Sequence, residues 1–359
     1  MNLPSGIVQK LRERQLDGSL RELEVYDGID FFSNDYLGLS QLKFDTSGNE
    51  GATGSRLISG NLLKTEELEE DLAHFYGHKA GLIFNSGFDA NLGLFSAVPQ
   101  KGDTIIYDAL CHASIRDGIR LSQANSFSFR HNDIMHLNER LTAATGDIFV
   151  AVEAVYSMDG DQGNLEAIAK LCKKFGAYLI VDEAHSAGIF GAQGRGLVNE
   201  LGLEDQVFAK LITFGKAYGS HGAIVVGSKE LRTYLINFSR SFIYTTALPP
   251  ASITRIAAVV EAVKQMDQER TKLKLNADYF TATVKETSVN CMPSASAIQS
   301  IMVRGNQAAK NKAAELKAAG FAVKAILYPT VPKQSERIRI CLHSFNSQED
   351  IKKLIHIFA

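Results

Sequence analysis

The sequence predicts an α/β protein: a large domain built on a mostly parallel sheet, followed by a smaller C-terminal α/β domain. Three observations carry that expectation. Between about residues 80 and 228, short continuous apolar runs alternate with helical segments, the pattern of strands buried on both faces. Pro249-Pro250 then breaks the chain, and a second, shorter series of helices and strands follows. Finally, 359 residues are too many for one small core and suit two lobes.

In chain order, Gly81–Phe84, Thr104–Tyr107, Ile148–Val152, Tyr178–Val181, Leu211–Thr213 and Ala223–Val226 read as strands. Leu165–Phe175 reads as a covering helix, stopped by Gly176. After the double proline the sequence predicts a long helical stretch from about Ser252 to Glu286. Beyond it come a strand Ala297–Val303, a helix Gln307–Ala319, and strands Ala322–Leu327 and Arg337–Leu342. A last helix is opened by Ser347-Gln-Glu-Asp350. The expected division is an N-terminal segment 1–33, a large domain 34–247 and a small domain 248–359.

Composition excludes several classes of function. With 45% apolar and 22% charged residues, the chain is globular rather than disordered. A net charge of −2 without a long basic run invites neither nucleic acid nor an anionic membrane surface. No stretch approaches the ~20 apolar residues that span a bilayer. The polar N-terminus lacks the apolar core of a signal peptide. Cys111, Cys172, Cys291 and Cys341 are far apart, without metal-ligand spacing, and read as reduced thiols of a cytoplasmic protein.

The chemistry is concentrated around Lys216. Tyr178-Leu-Ile-Val-Asp-Glu-Ala-His185 is an apolar strand ending in a carboxylate, and Ala209-Lys-Leu-Ile-Thr213 runs into a glycine-flanked lysine. That pairing suits pyridoxal 5'-phosphate (PLP): the amine of Lys216 bonds the aldehyde, and Asp182 keeps the pyridine nitrogen protonated. Asn85-Ser-Gly-Phe-Asp-Ala-Asn91 follows a strand and opens a helix, so the backbone N–H groups near Gly87 and Phe88 can hold a phosphate. His112 and Ser157 each follow another strand, one able to stack on the cofactor ring and the other to face it with a hydroxyl. His185 lies just beyond Asp182. All these positions fall at the carboxyl ends of strands, where open α/β sheets bind ligands. Asp182-Glu-Ala-His185 also spells the acidic box of nucleic-acid-dependent ATPases. Those require a GxxxxGK[ST] loop upstream, whereas Gly215-Lys216 lies downstream and is followed by Ala217. A non-catalytic scaffold of the same fold is disfavoured by the full set of candidate cofactor residues.

Together these segments resemble the α-oxoamine synthases, PLP-dependent transferases of fold type I, the aspartate-aminotransferase fold. The matching motifs run nearly the whole length: Asn34-Asp-Tyr-Leu-Gly-Leu39, Gly54-Ser-Arg-Leu-Ile-Ser-Gly60, Ser86-Gly-Phe88, His112-Ala-Ser114, Ser157-Met-Asp-Gly-Asp161, Val181-Asp-Glu-Ala-His185, Gly194-Arg-Gly196, Thr213-Phe-Gly-Lys216, Tyr244-Thr-Thr-Ala-Leu-Pro249, Pro329-Thr-Val-Pro332 and Arg337-Ile-Arg-Ile340. The resemblance implies Lys216 as the Schiff-base lysine, Asp182 at the pyridine nitrogen, and His185 and Ser157 near the phenolic oxygen. It places Thr213, Gly87 and Phe88 around the phosphate, and His112 over the ring. Asn34 and Arg339 are expected on the amino-acid carboxylate, and Arg21 and Thr330 on an acyl thioester. A homodimer is implied, with Thr245 or Thr246 reaching the neighbouring subunit's phosphate. Gly219-Ser-His-Gly222 points to L-alanine rather than the glycine or serine used by sister enzymes. The chain departs from the family at Thr65, where many members carry His, at Leu327-Tyr328, and in the short segment between Arg21 and Asn34.

Overall fold

The computed structural model describes residues 3–44 and 46–358. The chain divides into two compact units. The larger comprises Leu37–Ser157 and Gln162–Arg270, and the smaller Met1–Tyr36, Met158–Asp161 and Thr271–Ala359. This differs from the division expected at residue 248. The helix Pro250–Lys264 packs on Leu63–Phe75 and so stays with the larger unit.

The larger unit is built on a seven-stranded sheet in the order Ala80–Phe84, Ala223–Gly227, Ala209–Thr213, Tyr178–Asp182, Ile148–Glu153, Thr104–Asp108, Asn125–Phe129. All neighbours pair in parallel except Ala223–Gly227, which is antiparallel to both of its partners. Each of the six expected strands is present. The seventh, Asn125–Phe129, was not foreseen because it is a half-exposed edge strand whose Asn-Ser-Phe-Ser-Phe sequence lacks an apolar run. Buried Leu82, Phe84, Ile105, Phe149, Ile180, Leu211 and Val225 of the strands meet Leu94, Phe95 and Ile115 of two helices. At roughly 1.5–3 kcal/mol for each large apolar side chain removed from water, this cluster is the principal stabilising feature of the unit.

The antiparallel strand explains where the lysine sits. Ala209–Thr213 and Ala223–Gly227 are joined by the turn Phe214–Gly222, closed by Phe214 N–H to Gly222 O and Ser220 N–H to Phe214 O, each at 2.8 Å. Gly219 has φ +54, and a Cβ there would lie 2.2 Å from the Ser40 nitrogen, so only glycine allows this turn to settle.

The expected long helical stretch is two helices, Pro250–Lys264 and Asp267–Lys285. The Arg270 side chain donates to Val263 O at 2.6 Å, joining the Met266 N–H at 3.1 Å on that carbonyl, and also pairs with Asp267. Asp267 and Glu269 suit the first turn of the second.

In the smaller unit a three-stranded antiparallel sheet runs Lys324–Ile326, Arg337–Cys341, Ile298–Met302. The expected strand Ala322–Leu327 is split. Phe321–Ala322 pairs in parallel with Ile29–Asp30, and the chain changes partners at the buried Val323. The helices Asn306–Ala318 and Gln348–His356 follow expectation, the latter capped by Ser347, whose Oγ accepts from Asp350 N–H.

Candidate active site

Five strand ends of the larger unit converge on one cluster. Asp182 ends Tyr178–Asp182 and is buried. One of its oxygens accepts from Ala184 N–H at 2.9 Å and the other from Asn91 Nδ2 at 2.7 Å. His185, also buried, lies in the turn that follows, and its Nε2 is 2.8 Å from Lys216 Nζ. The lysine amine is thus held at the strand ends beside the carboxylate strand, half-buried rather than waving in solvent.

The residues expected around a phosphate also come together. Ser86 caps the helix Gly87–Ala97 by accepting from Asp89 N–H, which leaves the first N–H groups, at Gly87 and Phe88, without an intrahelical acceptor. A Cβ placed on Gly87 would stand 3.5 Å from Thr213 Oγ1, so the helix N-terminus and the Thr213 hydroxyl face the same space. Thr213 Oγ1 also touches Gly215 N–H and Gly222 O at 3.3 Å, tying it to the lysine turn. Thr245 Oγ1 accepts from Asn85 Nδ2 at 2.9 Å within the same chain. Ser157 lies half-buried four residues beyond the strand that ends in Glu153.

His112 caps the helix Ala113–Leu121. Its backbone N–H donates to Glu153 Oε1 at 2.6 Å, and its ring Nδ1 meets Ser114 Oγ at 2.7 Å. Partial desolvation lowers the pKa of His112, against the pull of Asp182 and with the help of Lys216.

Three contributors had no role assigned from the sequence: Glu153, Asn91 and Ser114. Glu153 pairs with Asp182 across the parallel ladder, so two carboxyls lie side by side at the sheet edge. Burial first, then Asp182, pushes the Glu153 carboxyl up to about 8. The signal was present, because Ile148-Phe-Val-Ala-Val-Glu153 ends an apolar strand in a carboxylate just as Asp182 does. Asn91 lies one helical turn beyond Gly87, on the same face.

The remaining candidates belong to the smaller unit. Asn34 Oδ1 accepts from Arg339 Nη2 at 3.0 Å and from the Tyr36 hydroxyl at 3.1 Å. Arg339 and Tyr36 are both buried, and burial drives the Tyr36 pKa up, so its hydroxyl stays a donor. Arg21 Nη2 donates to Thr330 Oγ1 at 3.2 Å, and both line a groove of about 810 Å³ with Tyr26, Lys317 and Lys324. The two residues expected on an acyl substrate are therefore neighbours, although 309 positions separate them in sequence.

The donor set fits PLP. It comprises an amine for the aldehyde, a buried carboxylate for the ring nitrogen, an imidazole beside the amine, and helix N–H groups with a hydroxyl for a phosphate dianion.

Comparison with known proteins agrees with this chemistry. The family model for aminotransferase class I and II matches residues 26–358. The chain is 36% identical to the 8-amino-7-oxononanoate synthase of Emericella nidulans, over 99% of this chain and 95% of that protein. It is 37% identical to the enzyme of the same name from Saccharophagus degradans, over 99% and 90%. Among solved structures, serine palmitoyltransferase from Sphingomonas wittichii superposes with a TM-score of 0.90 at 28% identity, over 99% of this chain and 96% of that one. An 8-amino-7-oxononanoate synthase from Francisella tularensis superposes with a TM-score of 0.80 at 31% identity, over 92% and 96%. With a lysine and a carboxylate at the strand ends and a helix N-terminus facing Thr213, this chain belongs to the class I and II aminotransferase family, in the group that contains the 8-amino-7-oxononanoate synthases.

Proposed function

We propose that the protein condenses L-alanine with a pimeloyl thioester, carried by CoA or by a carrier protein, to give 8-amino-7-oxononanoate, CO₂ and the free thiol, a step of biotin biosynthesis. The observation that carries the reading is Lys216 Nζ held 2.8 Å from His185 Nε2 in the turn beside the Asp182 strand, in a chain 36–37% identical to synthases of that name over nearly its full length.

PLP, when bound, supplies an aldehyde for amines and a protonated ring that takes up the electron pair released at the amino acid's Cα. The chain does the rest. Lys216 would hold the cofactor through its amine and, when that amine is free, would remove and return a proton at the amino acid's Cα. Asp182 presents the anion that keeps the ring nitrogen protonated. Ser157 and His185 hydrogen-bond at the phenolic oxygen. Gly87, Phe88 and Thr213 hold the phosphate, helped by the positive end of the helix. His112 stacks on the ring and meets the substrate. Arg339 and Asn34 grip the amino-acid carboxylate, for which a planar guanidinium suits two parallel hydrogen bonds. Arg21 and Thr330 contact the acyl chain. The working form is a cytoplasmic homodimer in which Thr245 or Thr246 reaches the partner's cofactor phosphate. Light scattering under assay conditions should give the dimer mass, and an active monomer would overturn that part of the reading.

The deciding experiment is thiol release measured as kcat/KM for alanine, glycine and serine, each against pimeloyl, acetyl and palmitoyl thioesters. Alanine with the pimeloyl thioester should be best. Room for one methyl group separates alanine from glycine, so that preference should be modest, about 10- to 200-fold. A second reading, serine with a long acyl chain, is favoured by the TM-score of 0.90 to serine palmitoyltransferase. Highest efficiency with serine and palmitoyl-CoA would establish it, and glycine with acetyl-CoA would point to a 2-amino-3-ketobutyrate-CoA ligase.

A further inference from the structure

We propose that Asn91 and Ser114 are positioning residues. They form a hydrogen-bond relay from the Asp182 carboxylate to Nδ1 of His112, and hold that ring as the neutral tautomer with its one proton on Nε2. The inference rests on the cofactor reading for what the ring does, but the relay itself stands on geometry within the larger unit.

The relay has a direction fixed by chemistry. Asn91 Nδ2 donates one hydrogen to Asp182 Oδ2 at 2.7 Å and the other to Ser114 Oγ at 3.0 Å. An amide nitrogen has two hydrogens, and both are used. The reverse orientation of the amide would set its oxygen against a carboxylate. In the orientation present, Asn91 Oδ1 is buried without a hydrogen-bond partner among the described residues, which shows that the Asp182 contact decides the orientation. Ser114 Oγ, having accepted from Asn91, has its own hydrogen to give, and His112 Nδ1 lies 2.7 Å away. The Ser114 backbone N–H points at the same nitrogen from 3.2 Å. A backbone N–H can only donate, so a hydrogen on Nδ1 would face another hydrogen. Nδ1 is therefore the acceptor, and the ring's proton is on Nε2.

Desolvation favours the neutral ring, and the neighbouring charges divide. Lys216 and Arg116 oppose a second cation at His112, while Asp182 and Asp117 pull the other way. Glu153 grips the His112 backbone N–H at 2.6 Å and fixes the base of the ring. The relay is built into the core: Asn91 and Ser114 are each buried. It requires the helices Gly87–Ala97 and Ala113–Leu121 to approach closely. A Cβ on Gly118 would fall 2.9 Å from the Asn91 carbonyl oxygen and from Phe95 Cβ, so glycine at that position permits the contact. The consequence for function is a His112 that offers a single N–H donor of fixed position rather than a mixture of tautomers.

The test is ring nitrogen spectroscopy on the purified holoenzyme labelled with 15N-histidine, with His112 assigned by its disappearance in His112→Gln. Wild type should show His112 with an unprotonated, hydrogen-bonded Nδ1 and a protonated Nε2 throughout the neutral range. Ser114→Ala removes the nearer donor. Only the longer backbone N–H contact at 3.2 Å then holds Nδ1, so its His112 should admit the other tautomer as a minor species and bind a proton at higher pH, and kcat should fall on the order of tenfold, in the direction of wrong-tautomer variants. Ser114→Thr keeps the hydroxyl and should restore both signals. Asn91→Ala should reproduce the Ser114→Ala spectrum in part, and circular dichroism establishes that each variant is folded. A wild-type ring protonated on Nδ1, or a Ser114→Ala ring indistinguishable from wild type, would overturn the proposal. Absence of cofactor absorbance would sink the PLP reading instead, and the ring spectrum would still decide the relay.

Discussion

Asp182→Asn changes one charge and almost nothing in shape, which makes its consequences traceable. One oxygen accepts from Ala184 N–H at 2.9 Å and the other from Asn91 Nδ2 at 2.7 Å. An asparagine that keeps the first contact turns its own NH₂ toward the Asn91 NH₂. One buried hydrogen bond is then lost, at about 1–3 kcal/mol, or Asn91 rotates and turns its oxygen toward Ser114. Neither should unfold the protein. Catalysis suffers more, because the ring nitrogen loses its anionic partner. Removing a group that stabilises developing charge costs roughly 3–4 kcal/mol, or 10²- to 10³-fold in kcat. Glu153 limits the loss. Its carboxyl is pushed up by burial first and by the Asp182 charge second. Taking that charge away brings the Glu153 pKa down and places an alternative anion beside the vacated position. The kcat of Asp182→Asn should therefore rise with pH through the neutral range, and Asp182→Asn/Glu153→Gln should lose that rise. Thiol release from the pimeloyl thioester with L-alanine measures turnover, and visible absorbance tracks retained cofactor. Near-normal turnover at neutral pH, or an unchanged pH profile in the double variant, would refute the reasoning.

Three further expectations follow from the same geometry. Borohydride treatment of the yellow holoenzyme should fix the cofactor to Lys216, and a peptide map placing the adduct on another lysine would overturn the assignment. Glu153 has a folded-state pKa of about 8, above that of an exposed glutamate. The folded state therefore binds the extra proton, and stability falls as pH rises from the ordinary carboxylate range through about 8. Glu153→Gln keeps the neutral form and should be the more stable protein near the top of that window, by something on the order of a few kcal/mol; urea melts at several pH values check the sign. Gly118→Ala should cost about 1–3 kcal/mol by overpacking two helices against the Asn91 carbonyl, read as a lowered Tm, with kcat reduced because the relay is displaced.

The sequence by itself determined a good deal here. Continuous apolar runs this short, separated by helical segments, read as strands buried on both faces, so six of the seven sheet strands and the mostly parallel character were legible without coordinates. Lys216, Asp182, His185 and Gly87 were legible for a related reason: a polar residue that ends an apolar run, or a glycine that opens a helix, falls at the carboxyl edge where such sheets bind ligands. Chain segments that depend on a distant partner could not be read. Phe321–Ala322 and Lys324–Ile326 form one apolar stretch in sequence but pair with different strands. The helix break after Lys264 is accompanied by Arg270 reaching back to Val263, a contact made in three dimensions. Glu153 was passed over because its importance lies in its register with Asp182, and strand register is set by tertiary pairing. Asn91 and Ser114 are 23 positions apart, on two helices brought together at Gly118. Which nitrogen of His112 carries the proton is decided only there, because a tautomer follows from the donors that surround the ring, and those donors come from the fold.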